Sequence, residues 1–190
     1  MALTVTTQVK QSMTLFLAIT LAKLFEIPNV HGRSKATRFN KSDVASIPLM
    51  IRLLKQRRCR ARLCSRARQW TPMLAHSADV NARACERAID RTIEAYAALR
   101  RNHAGRIAIA KLRKFRNKVL AHTLLGVALE ATPTYRELFL LMDVAREVTE
   151  QARLAIAGIH VDLLETEDAL QEVSGAFWRP AIAAAAKDKR

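Results

Sequence analysis

The sequence predicts an all-α protein, an antiparallel bundle of about five to six helices. Three observations carry that prediction. Half of the 190 residues are apolar, enough to build a substantial core. Only five Gly and five Pro punctuate the chain, while Ala and Leu are abundant and β-branched runs are few, a composition that favours helix. Apolar residues recur at helical spacing along most of the chain, with no internal repeat and no strand pair. At this length a single domain over 1–190 is expected, with its core in about 3–175 and a tail over 176–190.

The elements follow in order. Residues 3–26 carry Leu15, Ala18, Ile19, Ala22 and Phe25 at helical spacing, and Pro28 ends the segment. The polar stretch PNVHGRSKATRFNKSD is a loop. Ser46 is placed to cap a second helix with Pro48 in its first turn. That helix runs on through KQRRCRARLCSRARQ until WTP at 70–72 breaks it. A third helix begins near Ser77 or Asp79 and turns Ala82, Cys85, Ile89, Ile93, Tyr96 and Leu99 inward. Gly105 separates it from a fourth, RIAIAKLRKFRNKVLAHTLL, which Gly126 closes. Thr134 and Glu137 form a capping box for a fifth helix that ends at Gly158. A sixth, HVDLLETEDALQEV, follows, and FWRP at 177–180 leads into an Ala-rich basic end.

Charge narrows the class of partner. Lys and Arg number 32 against 17 Asp and Glu, a net +15. Up to position 129 the chain holds 25 basic and 6 acidic residues, and beyond it 7 basic and 11 acidic, so the positive field belongs to the first two-thirds. A polyanion is the natural partner, and nucleic acid, an acidic antitoxin protein or an anionic membrane surface all fit the field. Seven of the fourteen residues from Lys55 to Arg68 are basic. Of the readings open to a basic helix, tracking of phosphates by Arg57, Arg58, Arg60 and Arg62 is preferred. The apolar stretch TLFLAITLAKLF at 14–25 is too short to span a membrane and reads as a buried helix, with no membrane insertion. Cys59, Cys64 and Cys85 are odd in number and lack a paired C-x-x-C spacing. They read as small core fillers in a reducing cytoplasm.

Catalytic candidates concentrate in KLRKFRNKVLAHTLLG, residues 111–126. Arg116-Asn117 is followed after four residues by His122, the pattern Arg-[Asn/Asp/His]-x4-His. With 22 Arg, 17 residues that are Asn, Asp or His, and 5 His, random placement yields roughly 0.05 such matches. One occurs. The pattern is the recurrent signature of HEPN nucleases. LRKFRNKVLAH also resembles the AbiU-type branch of that family, associated with bacterial abortive infection. An early block, LFLAITLAKLFE, and a later one, YRELFLLMDVARE, are similar to that branch too, so the resemblance covers about residues 10–160. It implies a helical bundle with its site on a late helix and an endoribonuclease acting as a toxin or phage-defence effector. Arg116, Asn117 and His122 are the catalytic set it implies, at the interface of a homodimer. The basic run at 55–68 and the Ala-rich tail are not assigned by it.

These residue types suit RNA cleavage without a metal, in which the substrate's own 2′-OH attacks the neighbouring phosphorus. His122 has an ordinary pKa near neutrality and can move a proton in either direction. Arg116 supplies a permanent forked cation matched to phosphate. Asn117 can orient Arg116, His122 or the phosphate. Arg113, Lys114 and Lys118 flank the set and are placed to hold RNA phosphates. Positions 116 and 122 lie roughly 120° apart around a helix and about 9 Å along it. A compact site from one helix is therefore awkward, and a twofold pairing of two such helices relieves the problem. No cofactor is expected, since no P-loop, Rossmann glycine pattern, zinc spacing or Gly-x-Ser-x-Gly elbow is present. His31, His76, His103 and His160 read as structural or exposed. RRNH at 100–103 reads as a basic helix end complementing the dipole. The alternative is a non-catalytic helical module that binds RNA or a protein partner through its basic face.

Overall fold

The computed structural model describes residues 2–26, 45–71, 77–121 and 133–187, and its regular elements there are all helices. In chain order they are α1 (Ala2–Leu24), α2 (Ile47–Leu54), α3 (Arg57–Ala67), α4 (Ala78–Arg101), α5 (His103–Ala121), α6 (Tyr135–Ala157) and α7 (Leu163–Lys187). The all-α bundle is as expected, with one helix more than the sequence led us to place.

The extra helix comes from a break at Lys55-Gln56, where a single helix was expected to run on. Gln56 is extended (φ −74°, ψ 124°) and restarts the chain as α3. The reason is tertiary. Ser46 caps α2 through the Leu49 amide, with Pro48 in the first turn, and Ile47 and Ile51 point into the larger core. Leu54 and Ala67 instead enter a second cluster with Cys85, Ala88, Ile89 and Ala155. α2 reaches the second cluster with its last residue, Leu54, and a straight continuation would carry Ala67 away from it. α3 therefore folds back along α4 and is pinned there in antiparallel sense, Arg60 to Asp90 at 2.8 Å and Arg68 to Asp79 at 2.7 Å.

The larger cluster joins α1, α2, α4, α5 and α6. Phe25, Leu99, Leu112, Phe115, Leu138, Leu141 and Val148 are all buried in it. No helix among the described residues is long and apolar enough to cross a membrane. The apolar stretch of α1 instead buries Ala18, Leu21, Ala22 and Phe25, whereas Leu15, expected inside, is 40% exposed. The capping box at Thr134 and Glu137 forms as predicted. Burial alone would raise the Glu137 carboxyl, but hydrogen bonds from Lys111 and Thr134 outweigh it and hold it below the usual carboxylate range. The same Lys111–Glu137 contact, at 2.7 Å, ties α5 to α6.

Two corners differ from expectation. α4 and α5 part at Asn102, which is extended, and not at Gly105. Asn102 closes α4 with its amide on the Ala98 carbonyl, and its Oδ1 accepts from the Ala104 amide at 2.8 Å to open α5. Gly105 sits in the first turn of α5, where a Cβ would lie 2.3 Å from the Leu99 carbonyl oxygen. At the far end α7 runs through Pro180, where a tail was expected. Proline deprives the Ala176 carbonyl of its helix partner, but the alanines that follow are the strongest helix formers and carry the helix onward. Leu164, Leu170 and Val173 of α7 face solvent. The helix is held by Arg146 on Glu167 and by the Leu163 amide on Glu150. The proposed cap at Gly126 lies outside the described residues.

Gly158 ends α6 in the left-handed region at φ 71°, and a Cβ there would come within 2.6 Å of the Trp70 ring. Gly158→Ala is expected to cost about 2 kcal/mol from backbone strain plus overpacking, lowering Tm by about 4–8 °C for a chain of this size. Thermal denaturation followed by circular dichroism checks it. A melting temperature within a degree of wild type would contradict the packing described.

Candidate functional site

α5 presents the strip 111–118 because its neighbours fasten it. Leu112 and Phe115 are buried in the core, so Arg113 and Arg116 emerge at its edge and Lys114 and Asn117 stand in solvent. Arg116 is not a loose surface cation. Its Nε and Nη2 both donate to Asn117 Oδ1, at 3.2 and 3.0 Å, and its Nη1 meets Glu26 Oε1 at 2.7 Å. Three of the five guanidinium N–H groups are thus engaged. Asn117 Oδ1 is the shared acceptor of two of these bonds.

Glu26 is the residue that sequence reasoning missed. It follows directly on Phe25, which is 2% exposed and anchors the end of α1 beside α5. Its carboxylate neutralises Arg116 and fixes the direction of the fork. The one signal available was scarcity, since Glu26 is among only 6 acidic residues up to position 129. His122 lies outside the described residues, α5 being described to Ala121. Lys118 is part of α5.

Arg113 is half-buried, and its Nη2 is shielded from solvent without a hydrogen-bond partner among the described residues. Burial lowers its pKa from the ordinary value, Arg100 pushes the same way, Tyr96 opposes, and Arg116 adds the smallest effect, again downward. The guanidinium remains protonated near neutrality.

The basic run divides by face. Arg60 is spent on α4, with Asp90 at 2.8 Å and Glu86 at 3.8 Å, and the hydrogen bond to Asp90 raises its pKa despite burial. Arg66 donates to the Ile156 carbonyl and Arg68 pairs with Asp79. Arg57, Arg58 and Arg62 are exposed and make no ion pair among the described residues. Between α3 and α4 lies a groove of about 710 Å³, with Lys55, Arg57 and Arg83 on its walls along with the paired Arg60 and Arg68. The run is therefore partly structural, and Lys55, Arg57, Arg58 and Arg62 are its exposed cations without an ion pair among the described residues.

Cys85 is fully buried, its Sγ donating to the Ala155 carbonyl at 3.3 Å, and burial followed by the adjacent Cys64 pushes its thiol up to about 12. Cys59 and Cys64 are half-buried. His103 and His160 are exposed, as expected, and Arg100 and Arg101 do form the last turn of α4. His31 and His76 lie outside the described residues.

In comparison with known proteins, the HEPN-type family model AbiU2 matches residues 5–177. The matched span contains α1 from residue 5 onward, the whole strip on α5 and position 122. No curated protein and no solved structure matches.

Proposed function

The chain belongs to the AbiU2 family of HEPN proteins, and on that footing we propose that it is an endoribonuclease that cuts RNA without a metal ion. Its role is that of a toxin or phage-defence effector of the abortive-infection type. The observation that supports this reading most is the state of Arg116, aimed by Asn117 and Glu26 and keeping free N–H groups on the fork. A guanidinium held in place before substrate arrives is what stabilisation of a phosphoryl transition state needs.

In the proposed reaction the 2′-oxygen bonds to phosphorus, its proton is taken up, and the bond from phosphorus to the 5′-oxygen breaks as that oxygen gains a proton. The products are a 2′,3′-cyclic phosphate and a 5′-hydroxyl. Arg116 stabilises the charge on the phosphoryl oxygens, Asn117 orients Arg116, and His122 moves the proton. Arg113, Lys114 and Lys118 hold the flanking strand, with Arg57, Arg58 and Arg62 as a second basic surface. A homodimer formed around α5 brings two such strips together and completes the site. The exposed apolar side chains Met13 and Phe16 on α1, and Tyr135 and Phe139 on α6, lie on helices that pack against α5 and supply area for that contact. An acidic antitoxin would use the same positive field.

Incubation of the purified protein with total cellular RNA in EDTA tests the reading. Discrete fragments are expected from a species that sediments as a dimer at micromolar concentration. Intact RNA at excess protein would contradict the enzyme and leave a helical binding module.

A further inference from the structure

α3 and α4 meet along matching faces. One side of α3 carries Ala61, Cys64 and Ala67, and one side of α4 carries Ala82, Cys85 and Ala88, at the same spacing. The helices are antiparallel, and the pairs Arg60–Asp90 and Arg68–Asp79 fix their register from both ends. Cys64 is midway between the two arginines, and Cys85 is within a residue of midway between the two aspartates. The cysteines are therefore opposed, with Ala61 across from Ala88 and Ala67 across from Ala82. Two further contacts agree with that register. Cys64 packs against the cluster that contains Ala67, Cys85 and Ala88. It also lines the groove beside Ala82, Arg83 and Glu86, the α4 residues that flank Cys85. Small side chains on both sides of the cysteines let the helices approach closely. Axes about 8–10 Å apart, with each Cα about 2.3 Å off its axis, leave opposed Cα atoms roughly 3.4–5.4 Å from one another, and a disulfide spans about 4.4–6.8 Å.

We propose that Cys64 and Cys85 are a redox pair, in which hydrogen peroxide oxidises Cys64 and Cys85 then closes a disulfide that fastens α3 to α4. The inference is independent of the RNA reading. Both thiols are free, but only Cys64 is half-buried and open to the groove. Cys85 is fully buried with its Sγ on the Ala155 carbonyl, and burial keeps it protonated, so Cys64 reacts first. In that step the Cys64 sulfur bonds to one peroxide oxygen and the O–O bond breaks. The departing oxygen leaves as water with the Cys64 proton, and a sulfenic acid remains. Cys85 then releases Ala155, its sulfur bonds to that of Cys64, and the S–O bond breaks. The hydroxide takes the Cys85 proton and leaves as a second water. The two sulfurs lose two electrons and the peroxide oxygens gain them.

The test treats the reduced full chain with a small excess of hydrogen peroxide. Its intact mass should fall by that of two hydrogens, and non-reducing peptide mapping should find Cys64 linked to Cys85. Cys59 should remain a thiol, since it lines a different groove in which no α4 residue takes part among those described. The linked protein should melt about 6–12 °C above the reduced one, a gain that dithiothreitol abolishes. Cys85→Ala should leave Cys64 as a sulfenic acid that dimedone traps, whereas Cys64→Ala should lose both the link and the thermal gain. Cys59→Ala should behave as wild type. Cys64→Ala, at a half-buried position, carries the test if Cys85→Ala folds poorly. A link through Cys59, a link between two chains, or thiols that survive the peroxide would overturn the pair. So would a linked protein that melts no higher than the reduced one.

Discussion

Replacing His122 by alanine is expected to reduce RNA cleavage by about 10²–10⁴ in rate while leaving helicity and RNA affinity nearly intact. The substitution removes the group proposed to move the proton and removes little charge. The six acidic and 25 basic residues up to position 129 keep the positive field proposed to draw RNA. Single-turnover cleavage and oligonucleotide binding, measured side by side, separate the two effects. Loss of affinity in step with rate would make His122 a binding residue. Undiminished cleavage would reduce Arg116-Asn117-His122 to a polar stretch of helix.

Arg116→Ala is expected to lower the rate by about 10²–10³, the usual cost of removing one positioned donor to a transition-state oxyanion. Its geometry makes two further outcomes specific to this protein. Arg116→Lys keeps the charge but cannot place two N–H groups on Asn117 Oδ1 while meeting Glu26, so it should recover less than about a tenth of the lost rate. Glu26→Gln removes the neutralising carboxylate while keeping the side chain's size. Binding of RNA should tighten as Arg116 becomes a free cation, and turnover should fall as the fork loses its direction. Affinity and single-turnover rate moving together for Glu26→Gln would contradict the positioning assigned to it.

Features that were legible in the sequence are local ones. Ser46 with Pro48, the Thr134–Glu137 box and Gly158 each act within a turn of themselves, so the residues nearby are enough to identify them. The break at Lys55-Gln56 was not legible, because it depends on Ile51 and Ala67 belonging to different clusters. Leu15 has the spacing of a core residue but stands at 40% exposure on the outer side of α1. The same contrast holds at the candidate site. Arg116 and Asn117 announce themselves as a spaced motif, whereas Glu26 reaches Arg116 only through the packing of α1 on α5. Arg60 and Arg68 read as part of a basic run because their partners are on another helix. A stripe was there to be seen, since Asp79, Glu86 and Asp90 recur at the spacing of one face of α4 and receive both arginines.

The central claim is that the RNA's own 2′-hydroxyl is the nucleophile and that the α5 motif assists it. Mass spectrometry of the fragment ends generated in EDTA addresses that claim most directly. Wild-type protein should leave 2′,3′-cyclic phosphate and 5′-hydroxyl ends. Fragments carrying 3′-hydroxyl and 5′-phosphate ends would contradict it.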